Sequence, residues 1–387
     1  MPDRPSPDPD HRRVTSTRDL GLDPRSRALE EAADLAVQAP SVHNTQPWRI
    51  ELQPDRLVLR ADRGRQLTAL DPLGRELVQS VGAALFNVRV ALAARGWAAE
   101  VERVPDPDDP DLLAVARLVE GSPQSGLAEL AQAVGRRRTN RRRFTAHELP
   151  DPLLRRLASL AQDERVVLVP VLSDEHRRLV ARLTHEADGV QNADPRYRAE
   201  LRRWTTRSYA QGDGVPPEAV PHVTGRERDA LPLRDFDTRG SGGLPPRTDA
   251  DSGQTLVLLA TAADDTESWL RTGEALERLL LELTRHDWVA SPVSQAVEVP
   301  LTRTQLRSAL TWDAHPQMLL RIGRAEPTPR TPRRRRHEVV ANSQRQLEPP
   351  PAAPRDTPHP VAPPAEHRPV SDGRGGTTWI CPAQKEE

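Results

Sequence analysis

Three short stretches carry side chains whose types and spacing could do chemistry. Residues 39–48, APSVHNTQPW, set a serine, a histidine, an asparagine, a threonine and a glutamine between Pro40 and Pro47. The prolines fix the loop and leave several hydrogen-bonding groups to meet a planar polar ligand. The same residues would serve equally as a helix-to-strand connector with an Asx turn at Asn44. Residues 136–144, RRRTNRRRF, place six arginines around a Thr-Asn pair. Forked guanidinium groups with the Thr139 hydroxyl could grip a phosphate, and the alternative is a solvated basic face. Residues 330–337, RTPRRRRH, read alone as a flexible basic segment. His43 is the one histidine inside a candidate site, and a structural hydrogen bond suits it better than catalysis.

Composition limits what these stretches could serve. The 387 residues suffice for two domains of common size. Lys+Arg number 55 and Asp+Glu 56, a net charge of -1 that removes any global pull toward polyanions. Every basic residue except Lys385 is arginine, a bias that codon usage in a GC-rich genome produces on its own. No aromatic platform accompanies the arginine runs, so no nucleic-acid partner is expected. One cysteine, Cys381, excludes a disulfide framework and a thiolate metal cluster, and the histidines lack paired ligand spacing. GxGxxG, P-loop, HExxH and GxSxG patterns are absent, and no catalytic side chain is assigned. No run of about 18 apolar residues or secretory signal occurs, which sets the expectation of a cytoplasmic protein without a membrane partner.

The elements that must position these stretches follow from periodicity. A helical pattern from Asp23, with Ala28, Leu29, Ala32, Ala33 and Ala36 on one face, stops before Pro40. Strands WRIEL and RLVLRA flank the turn signal Gln53-Pro54-Asp55, and a long helix runs from about Asp71 to Arg95, ended by Gly96. Two strands lie between Trp97 and Val119. The chain then begins again: a helix from Ser125 to Arg138, a second helix, the strand VVLVPVL and a helix from Ser173 to about Gly189. A polar stretch from about 188 to 253 reads as a lid or insertion. Strand QTLVLLATA, the helix ESWLRTGEALERLLLELTRH and strand QMLLRIG complete the body. The pattern of helix, strands and long helix thus occurs twice. Residues 1–21 read as a disordered arm and 341–387 as a disordered proline-rich tail.

APSVHNTQPWRI resembles the PSxxNxQPW loop of the FMN-dependent nitroreductase superfamily, and RRTNRRRF resembles its RxSxR flavin-phosphate motif. The motif order, the DPLGREL helix start, the WTTRSYAQGDGVP segment and the ending PQMLLRIG resemble its fused-repeat, Acg-like branch, over about Ser26 to Val340. In ordinary members RxSxR precedes PSxxN, and each flavin lies at a homodimer interface. Here PSVHN comes first, no RxSxR stands upstream of it, and VVLVPVLSDEH occupies the place of a second PSxxN. The resemblance implies an α+β fold of two tandem nitroreductase-like domains, 22–124 and 125–340, forming a covalent pseudo-dimer with one FMN. It further implies a lid insertion in the second half.

By the same resemblance Arg137, Arg138, Thr139 and Arg141, with Arg333 and Arg334, hold the phosphate and ribityl side. Ser41, Val42, His43 and Asn44 reach the ring from the first half, and Val293 and Ser294 offer a backbone partner to its N5. The implied activity is hydride transfer from NADPH or NADH through FMN to a nitroaromatic, quinone or related small-molecule acceptor. The alternative is an FMN-sequestering protein of little turnover under stress or dormancy, its lid closed and marked by Trp204 and the run Asp213 to Pro216. The chain would act as a monomeric pseudo-dimer or as a homo-oligomer.

Overall fold

A computed structural model of the protein describes residues 23–142, 144–145, 147–222, 231–244, 254–342, 370–371 and 377–378. The expected arm, 1–21, lies outside them, as does most of the expected tail. Residues up to Arg345 form one unit; in the separate unit 346–387, the strands β10 (Val370–Ser371) and β11 (Thr377–Thr378) pair antiparallel.

Helix α1 (Pro24–Ala36) starts where Asp23 caps the amides of Arg25 and Ser26 and Pro24 pre-sets the first turn. The strands β1 (Trp48–Leu52) and β2 (Arg56–Ala61) form the expected hairpin, and α2 (Arg75–Ala94) follows. Gly96, at φ +79°, turns the chain into β3 (Ala98–Arg103) and β4 (Leu112–Val119). The helix expected over 125–138 shrinks to a 3₁₀ turn and the four residues of α3 (Ala131–Val134). Gly126 takes a positive φ before it, and beyond Gly135 the chain turns inward to bury Arg137.

The second half contributes α4 (Asp151–Asp163), β5 (Val167–Pro170), α5 (Asp174–Ala193) and α6 (Pro195–Thr205). The stretch expected as a polar insertion from 188 therefore begins as helix, because α5 runs past Gly189 and Asp194 caps α6 ahead of Pro195. After it come β6 (Thr255–Thr261), α7 (Thr266–Arg285), β7 (Val289–Pro292), α8 (Gln295–Glu298), α9 (Pro300–Leu306) and β8 (His315–Gly323). The last strand of this unit, β9 (Val340–Asn342), crosses the expected tail boundary and pairs parallel with β1.

The result is α+β. One sheet has the order β3-β4-β2-β1-β9 and the other β5-β6-β8-β7. Read from the opposite edge, the second is β7-β8-β6-β5, the strand sequence of the first without β9. Apolar clusters bury each sheet under its own helices, α1 and α2 on one and α4 and α7 on the other. Between the sheets α2 and α7, 20 residues each, pack against one another. A Cβ on Gly82 would lie 2.0 Å from the Leu270 carbonyl oxygen, and one on Gly273 would lie 1.9 Å from that of Gln79. Only glycine permits this approach, and the contact is reciprocal: each glycine abuts the residue three positions before the other. On length and composition α2 could cross a membrane, yet it is almost wholly buried inside this fold.

Candidate functional site

The loop between α1 and β1 is held in a demanding conformation. His43, Asn44 and Gln46 have φ of 44°, 56° and 51°, values that non-glycine residues rarely adopt. Ser41 supports the turn, its hydroxyl accepting from the Gln46 amide at 2.9 Å, while the Ser80 hydroxyl on α2 accepts from the Val42 amide at 3.1 Å. Asn44 Nδ2 donates to the carbonyls of Gly214 and Pro332 at 2.8 and 3.1 Å, and Gln46 Nε2 donates to that of Gly212 at 2.9 Å. The two amides thus tie the first half to the insertion and to the C-terminal segment.

RRTNR passes beside β7. Thr139 bridges to Ala290, and the Asn140 amide donates to the Ala290 carbonyl at 3.2 Å. The Asn140 side chain donates to the Glu326 carbonyl at 2.8 Å. This alternation turns Asn140 into the fold and leaves Thr139 and Arg141 along the cleft.

The cleft has two continuous parts that share Pro40, Ser41, Thr139 and Arg141. An apolar slot encloses about 940 Å³ of atom-free space, its open mouth included. Ser80 and Ala83 of α2, Leu276 and Leu280 of α7, Met318 of β8, and Val293 and Ser294 line it, with Val42 and His43 from the loop. The smaller part is a basic cradle of about 470 Å³, lined by Arg137, Arg138, Arg330 and Arg333 with Gln38 and Asn44.

Among the described residues the cradle's arginines outnumber the carboxylates beside them. Arg137 is buried, with its Nε 3.6 Å from Glu277 and both Nε and Nη1 without hydrogen-bond partners among the described residues. Arg141 lies over the Phe236 ring at 4.9 Å, and no salt bridge to it occurs among the described residues. Burial and neighbouring guanidinium groups weaken the protonated forms, lowering Arg141 and Arg138 to about 10 and Arg333 to about 9. The Glu277 carboxyl, deeply buried, is pushed up to about 7 despite Arg137. Such a cluster gains by taking up an anion with several oxygens, such as a phosphate.

His43 faces the slot as a neutral base. Burial first, then the Arg234 and Arg141 charges, lower it to about 3 against the opposing pull of Glu298, and its Nδ1 has no hydrogen-bond partner among the described residues. The structural hydrogen bond expected for it is not made through that atom.

The cleft brings together Ser41, Val42, His43, Asn44, Arg137, Arg138, Thr139, Arg141, Val293, Ser294 and Arg333. Arg333 serves largely as a clamp, donating to the carbonyls of Gln38, Ala39 and Pro332 at 2.9–3.1 Å and to Asn44 Oδ1 at 3.0 Å. Arg334 lies outside both parts; its amide donates to Gln46 Oε1 at 2.9 Å and its guanidinium approaches Asp62 at 3.7 Å. The amide of Val293 is taken by the Leu319 carbonyl at 2.9 Å.

Trp204 packs with Leu67, Leu70, Tyr197 and Leu201 behind the slot-lining Val42 and Phe236 and does not itself line the slot, and Asp213 pairs with Arg65 and Arg207. The insertion reaches the slot instead through Leu233, Arg234 and Phe236, which sequence reasoning missed. Arg330 was quoted in its basic run and not selected, although its own run was the available signal.

No family model matches the chain. Among curated proteins, "Putative NAD(P)H nitroreductase Rv3131" of Mycobacterium tuberculosis is 36% identical over 323 residues, 82% of this chain and 92% of the relative. "Putative NAD(P)H nitroreductase acg" of the same organism is 33% identical over 321 residues, 80% of this chain and 94% of the relative. Among solved structures, a nitroreductase with bound FMN from Bacteroides fragilis matches at 12% identity and a TM-score of 0.32, covering 51% of this chain and 89% of that one. NfnB of Mycobacterium smegmatis in complex with NADPH matches at 17% and 0.31, covering 56% and 98%. These structural likenesses are too slight to bear on the site. Identity of a third or more along nine-tenths of its curated relatives places the chain in the Acg-like NAD(P)H nitroreductase family.

Proposed function

We propose that this protein binds one FMN per chain, ring in the apolar slot and phosphate in the arginine cradle, and passes reducing equivalents from NAD(P)H to a nitroaromatic, quinone or related acceptor. The observation that carries the reading is the continuity of the two parts: a slot of planar-ring size opens directly onto buried arginines short of anionic partners. FMN supplies a ring that accepts and donates hydride equivalents, which is why no triad or acid-base pair is needed to start the reaction. Arg137 and Arg141 hold the phosphate end, Arg333 keeps the C-terminal segment over it, and Val42 and His43 bound the ring. With the Val293 amide committed to Leu319, the Ser294 amide is the remaining backbone donor of that pair.

The two halves form a tandem repeat folded as a covalent pseudo-dimer with a single surviving site. Matching strand orders, a 13-residue α1 and α4, and the reciprocal Gly82–Gly273 contact support this. Aligning α2 and α7 on those glycines sets Ala83 against Glu274 and Leu280 against Arg89. The slot's small and apolar lining therefore corresponds, on the other side, to an ion pair at 2.7 Å.

A second reading, FMN sequestration, draws on the insertion. Arg234 is held by Glu298 at 2.6 and 2.7 Å and donates to the Tyr197 hydroxyl at 2.7 Å, which pins Leu233 and Phe236 over the slot. Anaerobic mixing of the flavin-loaded protein with NADPH or NADH separates the two. Bleaching by a nicotinamide supports the oxidoreductase; bleaching by dithionite alone supports sequestration.

A further inference from the structure

Glu76, near the start of α2, lies between two cavities. It lines the slot and also a separate cleft on the far side, about 1,590 Å³ with its open mouth, bordered by Asp71, Leu73, Arg75, Val190, Glu298 and Arg303. It is the one described residue common to both linings. Its side chain is 4% exposed, its Oε1 has no hydrogen-bond partner among the described residues, and the nearest cation, Arg75 Nη2, is 3.8 Å away. Two more unpartnered atoms belong to slot-lining residues, His43 Nδ1 and Gln79 Oε1.

We infer that Glu76 is the proton donor to the acceptor in the slot and is itself refilled from water in the second cleft. The inference rests on the oxidoreductase reading above. Reduction of a quinone or nitro group consumes protons along with the hydride equivalent that NAD(P)H supplies through FMN. As that equivalent reaches the acceptor, the Glu76 O–H bond breaks and an O–H bond forms on the acceptor oxygen. The carboxylate left behind recovers a proton from the second cleft, and protons and electrons balance.

The surroundings keep the carboxyl loaded. Burial raises its pKa most, the carboxylates of Glu298 on α8 and Asp71 ahead of α2 raise it further, and Arg75 and Arg234 only partly oppose them. Glu298 is held ionised by Arg234, lowered to about 2, so it acts as a fixed negative neighbour. The Tyr197 hydroxyl of α6, raised by its burial, stays neutral beside this group. His43 is deprotonated at neutral pH and cannot take the donor's part.

Glu76→Gln tests this, because the amide mimics the neutral acid and a thermal midpoint near that of the original chain verifies folding. In flavin-free protein at pH 7, the protonated-carboxyl band of infrared difference spectra, to which Glu277 also contributes, should shift in D₂O and lose intensity in the variant. In FMN-loaded protein the acceptor half-reaction, relative to the NAD(P)H half-reaction, should slow roughly a hundredfold or more. Glu76→Asp should recover part of that loss. A band unchanged by the substitution, or an acceptor step within about twofold of the original, overturns the inference. Failure of the oxidoreductase reading is distinguishable, since it appears as a chain that takes up no FMN or is not bleached by either nicotinamide.

Discussion

The slot and the region that matches it across the α2–α7 contact are built on the same pair of helices and end in opposite electrostatic states. In the matching region Arg89 bonds Glu164 and Glu274, both at 2.7 Å; Arg103 reaches Glu274 at 2.6 Å; and Arg278 bonds Glu164 and Asp163, both at 2.7 Å. Three cations meet three carboxylates, Arg89 is held charged, and Glu164 is lowered by its arginines. In the cradle stand Arg137, Arg138, Arg141, Arg330 and Arg333, with Glu277 within 3.6 Å of Arg137 alone among them, and burial lowers Arg137, Arg138, Arg141 and Arg333. A balanced buried network stabilises the fold, whereas an unbalanced cationic one is the arrangement that the proposed phosphate site requires.

The largest expected effect lies on the balanced side. Glu274→Ala leaves Arg103 without its carboxylate and Arg89 with that of Glu164 alone, and should cost about 3–5 kcal/mol in denaturant unfolding. The Arg89→Leu/Glu274→Ala double variant, which copies Leu280 and Ala83 from the slot side, should lose less than the two single losses combined. Additive losses would mean that the pair is not a unit.

Next in size is the ligand side. Arg141→Ala should weaken FMN binding roughly tenfold to a hundredfold, read by fluorescence titration of flavin into flavin-free protein. The same variant should leave the flavin-free protein no less stable, because it removes a buried cation without a carboxylate partner. Arg239→Ala, exposed in the insertion, should alter neither; equal losses at the two positions would misplace the cradle.

The smallest effect is a pH signature. His43 is neutral in the folded chain down to about pH 3 and takes a proton near 6.5 when unfolded. The unfolded chain therefore binds the extra proton, and stability falls as pH drops through that window. Between pH 7 and 5.5 the part due to His43 is about 1 kcal/mol. His43→Gln should flatten the profile by that amount, and an unchanged profile would show that the imidazole reaches solvent.

Much of the fold beneath this contrast was legible in the sequence. The hairpin of β1 and β2 fell where Gln53-Pro54-Asp55 breaks two apolar runs, and the long helices fell where apolar faces run unbroken to a C-terminal stop. The duplicated pattern suggested the pairing, and the PSVHN and RRTNR motifs do meet in space. What was hidden depends on tertiary position. Arg330 and Arg334 belong to one run, yet only the first lines the cradle, because the Arg334 amide is drawn to Gln46. Leu233, Arg234 and Phe236 sit in a polar stretch with no periodicity, and their place over the slot follows from the Arg234–Glu298 pair 64 residues apart. The helix expected over 125–138 had the alanines it needed, but burying Arg137 against Glu277 outweighed local propensity. The start of α6 went unread, although Asp194-Pro195 stands there as cap and first-turn proline.

The contrast between the two regions rests on one site per chain. Its most direct measurement is the molar ratio of FMN to protein after reconstitution and gel filtration, from flavin absorbance against amino-acid analysis. A ratio of one FMN per chain is expected, falling in Arg141→Ala and unchanged in Arg239→Ala. A ratio of two would put flavin where Arg89 and Glu274 close the interior, and a colourless protein would empty the slot of its assignment; either result contradicts the pairing of one open and one sealed site.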